Sequence, residues 1–235
     1  MRFVHSLHAG ALSADVAGLL GSRLGGLVSL DLPVAPGFVI GTAAWHLWRV
    51  CGPGWDLPAS VAEEVGRALE ELDGELLTVR AAPVVSGVAS GPPVLSLAEQ
   101  LDAALRPIIG DSRVPTAVVV QARTSAEGTP PSGQGTAFTR DPLRGTVWPT
   151  GEFFSGRSVM SLDALNRWVP AAGLQLRSAL SRIESLHRSV SEVSFTLEAG
   201  ELWINDARPA RHSRAAADRV AQSGLRLASA AGPGS

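Results

Sequence analysis

Four apolar residues, Val61, Val65, Leu69 and Leu72, recur at helical spacing in a stretch otherwise rich in glutamate, which predicts an amphipathic helix over 59–72. The run LLTVR directly after it predicts a strand, and AAWHLWRVCG before it a shorter helix. Upstream, 19–41 reads as a helix end, a glycine-rich turn and then a short buried strand within LDLPVAPGFVIG, punctuated by Pro33, Pro36 and Gly37. The segment 81–93, AAPVVSGVASGPP, predicts a loop, and a helical pattern resumes over 95–105. A second lobe is expected to open with PTAVVVQ, GTAFTRDP and a less regular third run around TVWPTGEFF. After Asp163 the pattern turns helical, with Leu176, Leu180, Ile183, His187 and Val190 on one face, which predicts His187 as a core or boundary histidine with one satisfied nitrogen rather than a catalytic base. VSFTLEAGELWIND predicts a hairpin turning at Ala199-Gly200; a last helix is expected over 211–227 and a disordered tail over 229–235. The outline is α+β in two lobes, 1–110 and 111–228.

Composition narrows the function classes. A chain of 235 residues that is 45% hydrophobic and 18% charged can bury a sizeable core. A net charge of −2 gives no basic field, so neither a nucleic acid nor a membrane is expected as partner. A single cysteine, Cys51, rules out an internal disulfide framework and is expected to pack beside Trp48; with no long apolar run and no leader-like start, a cytoplasmic location is expected. All 20 residues in the Lys+Arg count are arginines. No ammonium is therefore available to grip a phosphate or form a Schiff base.

Several segments, in order, resemble the nucleotide-binding domain of phosphoenolpyruvate synthases and pyruvate phosphate dikinases. LPVAPGFVIGTAAW is similar to their Leu-Pro-Val-Pro-Pro-Gly-Phe stretch, LLTVRAA to a Ser-Val-Arg-Ser strand end, and SGQGTAFTRDP to Ser-Gly-Val-Ala-Phe-Thr-Arg-Asp-Pro. GEFF is similar to Gly-Glu-Tyr, and SEVSFTLEAGELWINDARPARHSRAAADRVA to the closing Asp-Ile-Glu-Phe-Thr and Leu-Gln-Thr-Arg strands with an Ala-rich helix. The resemblance covers about 19–228 and implies an ATP-grasp-like fold with a cleft between two lobes that holds ATP and magnesium. It also implies a phosphohistidine domain as partner; no such motif occurs in this sequence, so the family reaction would need a separate protein.

Matched position by position, the family's phosphate lysine becomes Arg23, its strand-end arginines are kept as Arg80 and Arg208, and its Asp-Ile-Glu metal segment becomes Glu192-Val193-Ser194. Its Gln-Thr-Arg becomes Asp206-Ala207-Arg208, and Pro83 stands in the phosphate loop, where it removes an N–H donor. A serine hydroxyl replaces a glutamate poorly as a magnesium ligand. No metal site and no cofactor are therefore expected, and loss of phosphoryl transfer is. What remains suits proton chemistry: Asp206 with Arg208, supported by Glu192 and Arg80, as the catalytic set, and Arg23, Arg140, Glu152, Gln121 and Trp203 as substrate contacts. The expected function is lyase- or cyclase-type dehydration, conjugate addition or cyclisation of a small natural-product intermediate. Two alternatives stand beside it: an ATP- and magnesium-dependent phosphotransferase working with a separate phosphohistidine-domain protein, and a nucleotide-binding domain without catalysis.

Overall fold

The computed structural model describes residues 2–51, 57–72, 75–88, 91–124, 129–142 and 148–210. The run Val118-Val119-Val120 has no polar alternation, and a strand so composed is stable only when both of its faces are covered. It forms the middle of β5 (Thr116–Ala122), and all three valines are fully buried. β5 is the central strand of a five-stranded antiparallel sheet with β1 (Val4–Ser6), β2 (Gly37–Ile40), β3 (Leu76–Pro83) and β4 (Val94–Leu97), in the order β1-β2-β5-β3-β4. PTAVVVQ, expected to open the second lobe, thus completes the first sheet, because only a central position hides it on both sides. One face of this sheet packs Leu77, Val79, Val118 and Val120 under α2 (Thr42–Cys51), α3 (Ala59–Leu72) and α4 (Leu101–Gly110).

The second sheet is also antiparallel, in the order β10-β9-β6-β7-β8, from β6 (Gly133–Phe138), β7 (Thr150–Ser155), β8 (Ser158–Ser161), β9 (Ser191–Glu198) and β10 (Glu201–Pro209). β9 and β10 form the expected hairpin, with Ala199 and Gly200 both at positive φ, as a two-residue turn between twisted strands requires. A bulge at Asn205 leaves Ile204 opposite Phe195 and Asp206 opposite Ser194. Helices α5 (Leu162–Trp168) and α6 (Pro170–His187) join the core on this sheet, where Leu176, Leu180 and Ile183 are buried as their spacing predicted.

α1 (Ala14–Val28), kinked at Gly18, continues as helix through the segment read as a glycine-rich turn. Its Ala17, Leu20, Leu24 and Leu27 belong to one apolar cluster with Val39, Ala82 and Val119 of the first sheet and Phe195, Ile204 and Ala207 of the second. The glycines allow close approach. Gly18 has φ +64°, and a Cβ there would lie 1.8 Å from the Ala82 carbonyl oxygen and 2.8 Å from the Ala82 Cβ. Two further expectations change: 95–105 begins as the edge strand β4 before α4, and β8 was not anticipated. The expected closing helix at 211–227 and the tail lie outside the described residues. The result is a mixed α+β, two-lobed, ATP-grasp-like architecture.

A glycine-to-alanine change at a regular helical position ordinarily stabilises by about 1 kcal/mol, but Gly18 is the non-helical kink of α1. Gly18→Ala is expected to do the reverse and destabilise by about 2–4 kcal/mol in chemical denaturation, because the new Cβ meets rigid backbone at a positive φ.

Candidate functional site

Alternation along β3 and β5 turns Thr78, Arg80 and Gln121 away from the helices of the first lobe and toward the second sheet. There they line a cleft of about 790 Å³, with Gln134, Phe154, Thr196 and Asn205 on the opposite wall and Arg123 and Thr124 at the end of β5. Among the described residues the lining contains two arginines, several hydroxyl and amide side chains, and no aspartate or glutamate.

Arg80 is fixed by neutral groups. Its Nη1 donates to the Asn205 carbonyl oxygen at 2.9 Å, and its Nη2 donates to Gln121 Oε1. Gln121 is oriented in turn by donating its Nε2 hydrogen to the Ala35 carbonyl oxygen at 2.9 Å. Arg80 Nε and Trp203 Nε1 are buried donors with no hydrogen-bond partner among the described residues. Burial pushes the Arg80 pKa down; the Asp206 charge opposes this and the nearby Arg23 charge adds to it. A desolvated guanidinium held by dipoles alone keeps its charge available to an anion.

Asp206 pairs with Arg23 rather than with Arg208. Arg23 Nε and Nη2 donate to Asp206 Oδ1 and Oδ2 at 2.8 and 2.9 Å, a bidentate bridge from α1 to β10 with both side chains mostly covered. Arg208 is exposed and donates to Glu192 Oε1 at 2.8 Å; this hydrogen bond raises the arginine's pKa further, against a smaller opposing effect of burial. By register, Asp206, Ser194, Thr136 and Glu152 form one rung across the second sheet, beside the rung of Trp203, Thr196, Gln134 and Phe154 that reaches the cleft. Glu192 and Arg208 stand one rung further away. Three strand spacings separate Asp206 from Glu152, roughly 14 Å, so the two carboxylates share a face without meeting. Arg140 lies elsewhere, paired with Glu184 of α6 in a separate groove.

His187 closes α6 and its Nδ1 lies 2.8 Å from Ser191 Oγ, the single satisfied nitrogen expected of it. Burial lowers its pKa first and the Arg23 charge lowers it further, while Asp206 acts in the opposite sense. Among the expected contacts the structure therefore brings Arg80 and Gln121 into the cleft, sets Arg23 and Asp206 at the junction beside it, and leaves Arg208, Glu192 and Arg140 outside. Sequence reasoning missed Arg123, Thr78, Gln134, Thr196 and Asn205. The period-2 spacing of Thr78 with Arg80 and of Gln121 with Arg123 was the available signal, once both strands are assigned to one sheet.

No family model matches the chain. Pyruvate, phosphate dikinase 1, chloroplastic, of Zea mays is 28% identical over 116 residues, a stretch covering 45% of this chain and 12% of that protein. The protein of the same name from Arabidopsis thaliana is 27% identical over the same length and coverage, and pyruvate, phosphate dikinase 2 of Zea mays is 28% identical, with 13% of its length matched. The matched stretch is thus about an eighth of these relatives, and the chain carries a distant, partial similarity to the pyruvate, phosphate dikinases. No described helix is long and apolar enough to cross a membrane.

In a double-mutant cycle of Arg23→Ala and Asp206→Ala, a coupling of about 1–3 kcal/mol is expected by denaturation, as befits a partly buried bidentate pair. His187 refuses in the folded state a proton it accepts when unfolded. Its contribution is therefore intact above the unfolded pKa and lost as pH falls through the lowered folded value. His187→Asn should make the loss of stability between about pH 7 and pH 5 shallower than in the wild type, measured as denaturation midpoint against pH.

Proposed function

We propose that this chain is an ATP-grasp-like domain that binds a small oxyanion-bearing organic molecule in the cleft between its sheets, with Arg80 as the fixed cation and Arg123 at the rim. The observation that carries this reading is the charge of the lining among the described residues: two arginines, neutral donors and acceptors, and no carboxylate. A volume of about 790 Å³ lies within the range of small-molecule sites. The relatives' names speak of pyruvate and phosphate, both oxyanions, and this agrees with such a ligand class.

Magnesium fits these residues poorly. Among the described residues, no group of three or more histidine, cysteine, aspartate or glutamate side chains could hold a metal ion. Both oxygens of Asp206 face Arg23, and Glu192 is bonded to Arg208. Phosphoryl transfer to a separate phosphohistidine-domain protein is the weaker reading on this ground, since it asks for metal and cation together around a polyphosphate.

A second reading keeps the proton chemistry inferred from sequence, and its support is the place of Asp206: one rung from the cleft, beside the bulge at Asn205, and within the electrostatic reach of Arg80. In this reading Asp206 would act as the base toward a carbonyl compound, with Arg23 holding it in place. Dehydration, conjugate addition or cyclisation of a natural-product intermediate belongs to this reading, and Asp206→Asn abolishing turnover without loss of ligand binding would support it.

Calorimetric titration with citrate, pyrophosphate and ATP, each with and without magnesium, tests the main reading. Binding of at least one of these without metal is expected, unchanged by magnesium and weakened about tenfold or more, or about 1.4 kcal/mol, in Arg80→Ala. Arg123→Ala at the rim should weaken binding without touching the Gln121–Asn205 bridge. Strict dependence on magnesium, or equal affinity in both variants, would overturn the assignment.

A further inference from the structure

The groove that holds Arg140 lies apart from the cleft, on the outer side of α6. Its floor is a stripe of Arg177, Ser181, Glu184 and Arg188, spaced four, three and four residues apart and therefore on one helical face. Arg140 and Trp148 form the facing wall of a cavity of about 600 Å³. Trp148 is 68% exposed, an unusual cost for the largest apolar side chain, and Trp and Arg are the residue types that dominate binding energy at protein interfaces.

The charges in this groove are unbalanced. Among the described residues three arginines line it with one carboxylate, Glu184, which is bonded to Arg140. Arg177 has a distant contact, 3.7 Å, with the exposed Asp163, and Asn166 accepts from it once its amide is oriented by that contact. Arg188 has no ion-pair partner among the described residues. It also sits at φ +51°, the left-handed position closing α6, where glycine is the residue of choice. An arginine at this left-handed position with no ion-pair partner among the described residues leaves its charge open to an external anion.

Spacing decides what kind of anion fits. Eleven residues of helix place the Cα atoms of Arg177 and Arg188 roughly 16 Å apart, too far to converge on one phosphate group. An extended peptide of five or six residues spans that length at about 3.3 Å per residue. We infer that this groove docks an extended acidic segment of a partner protein, its carboxylates meeting Arg177 and Arg188 at the two ends and its apolar atoms packing on Trp148. The inference is independent of what the cleft binds.

Fluorescence anisotropy with a fluorescein-labelled hexaglutamate peptide, and a Gly-Ser peptide of equal length as comparison, tests it. The acidic peptide alone should bind, with affinity falling as salt rises. The double variant Arg177→Ala/Arg188→Ala should weaken binding by about tenfold or more. Trp148→Ala should weaken it as well, and Arg67→Ala, which removes a charge from α3, should not. Arg188→Gly keeps the helix end in its preferred residue; it should melt no lower than wild type and still bind less tightly, which separates docking from folding. Lack of binding, equal affinity in wild type and the double variant, or displacement by inorganic phosphate beyond that caused by sodium chloride of matched ionic strength would overturn the inference.

Discussion

One helix belongs to both halves of this protein. α1 contributes its leucines to a single apolar cluster that includes residues of both sheets, so neither sheet can bury its share of the core without it. The contact is tight because the helix is stripped of side chains where it meets the first sheet, with Gly18 against Ala82 and Gly21 against Val39. The chain leaving α1 then reaches the second sheet, where the Ile204 N–H donates to the Pro33 carbonyl oxygen. Arg23, projecting from the same helix, adds the bridge to Asp206. Apolar packing, backbone pairing and an ion pair thus join the sheets at one end of the junction, and the cleft opens at the other, where Thr78 and Gln121 face Gln134 and Thr196.

With arginine as its sole strong cation, the chain tends to form forked, geometrically matched pairs rather than loose point-charge contacts. Asp206, Glu192 and Glu184 are each matched by an arginine, and these pairs lie at the junction or on outer surfaces. Among the described residues the cleft is left with Arg80 and Arg123 and with no carboxylate to compensate them. On the proposed reading that allocation suits an anion better than a metal, because a divalent ion needs carboxylates and these are held by arginines.

Much of the fold was legible because local pattern and burial agree. The α3 stripe, the buried face of α6 and the turn at Ala199-Gly200 each carry a period or a turn residue with one physical meaning. The glycines of α1 were misleading: the same lack of a side chain that permits a turn also permits a helix to touch a sheet, and only the tertiary contact distinguishes the two. The site was legible in its residue types and not in its pairings. Asp206 and Arg208 are neighbours in sequence, yet strand alternation and the bulge at Asn205 give each a different partner, Arg23 arriving from a helix 183 residues away. Arg140 followed a similar course: its motif resembled part of a nucleotide cleft, and the fold sets its side chain against α6 instead.

Arg80 shows how the junction and the cleft are coupled. Its position depends on the Asn205 carbonyl oxygen from the second sheet and on Gln121 from the first, and Gln121 depends on the Ala35 carbonyl oxygen in the segment that follows α1. A ligand anion drawn to Arg80 would therefore strengthen a chain of hydrogen bonds running through both sheets and the linker between them. The charge of Arg80 is not cancelled along this chain, since each hydrogen-bond partner is a neutral dipole, and the carboxylate that acts on it, Asp206, is shared with Arg23. Arg80 thus ties the two sheets together as well as lining the cleft, so on the proposed reading occupancy of the cleft and rigidity of the junction would rise together.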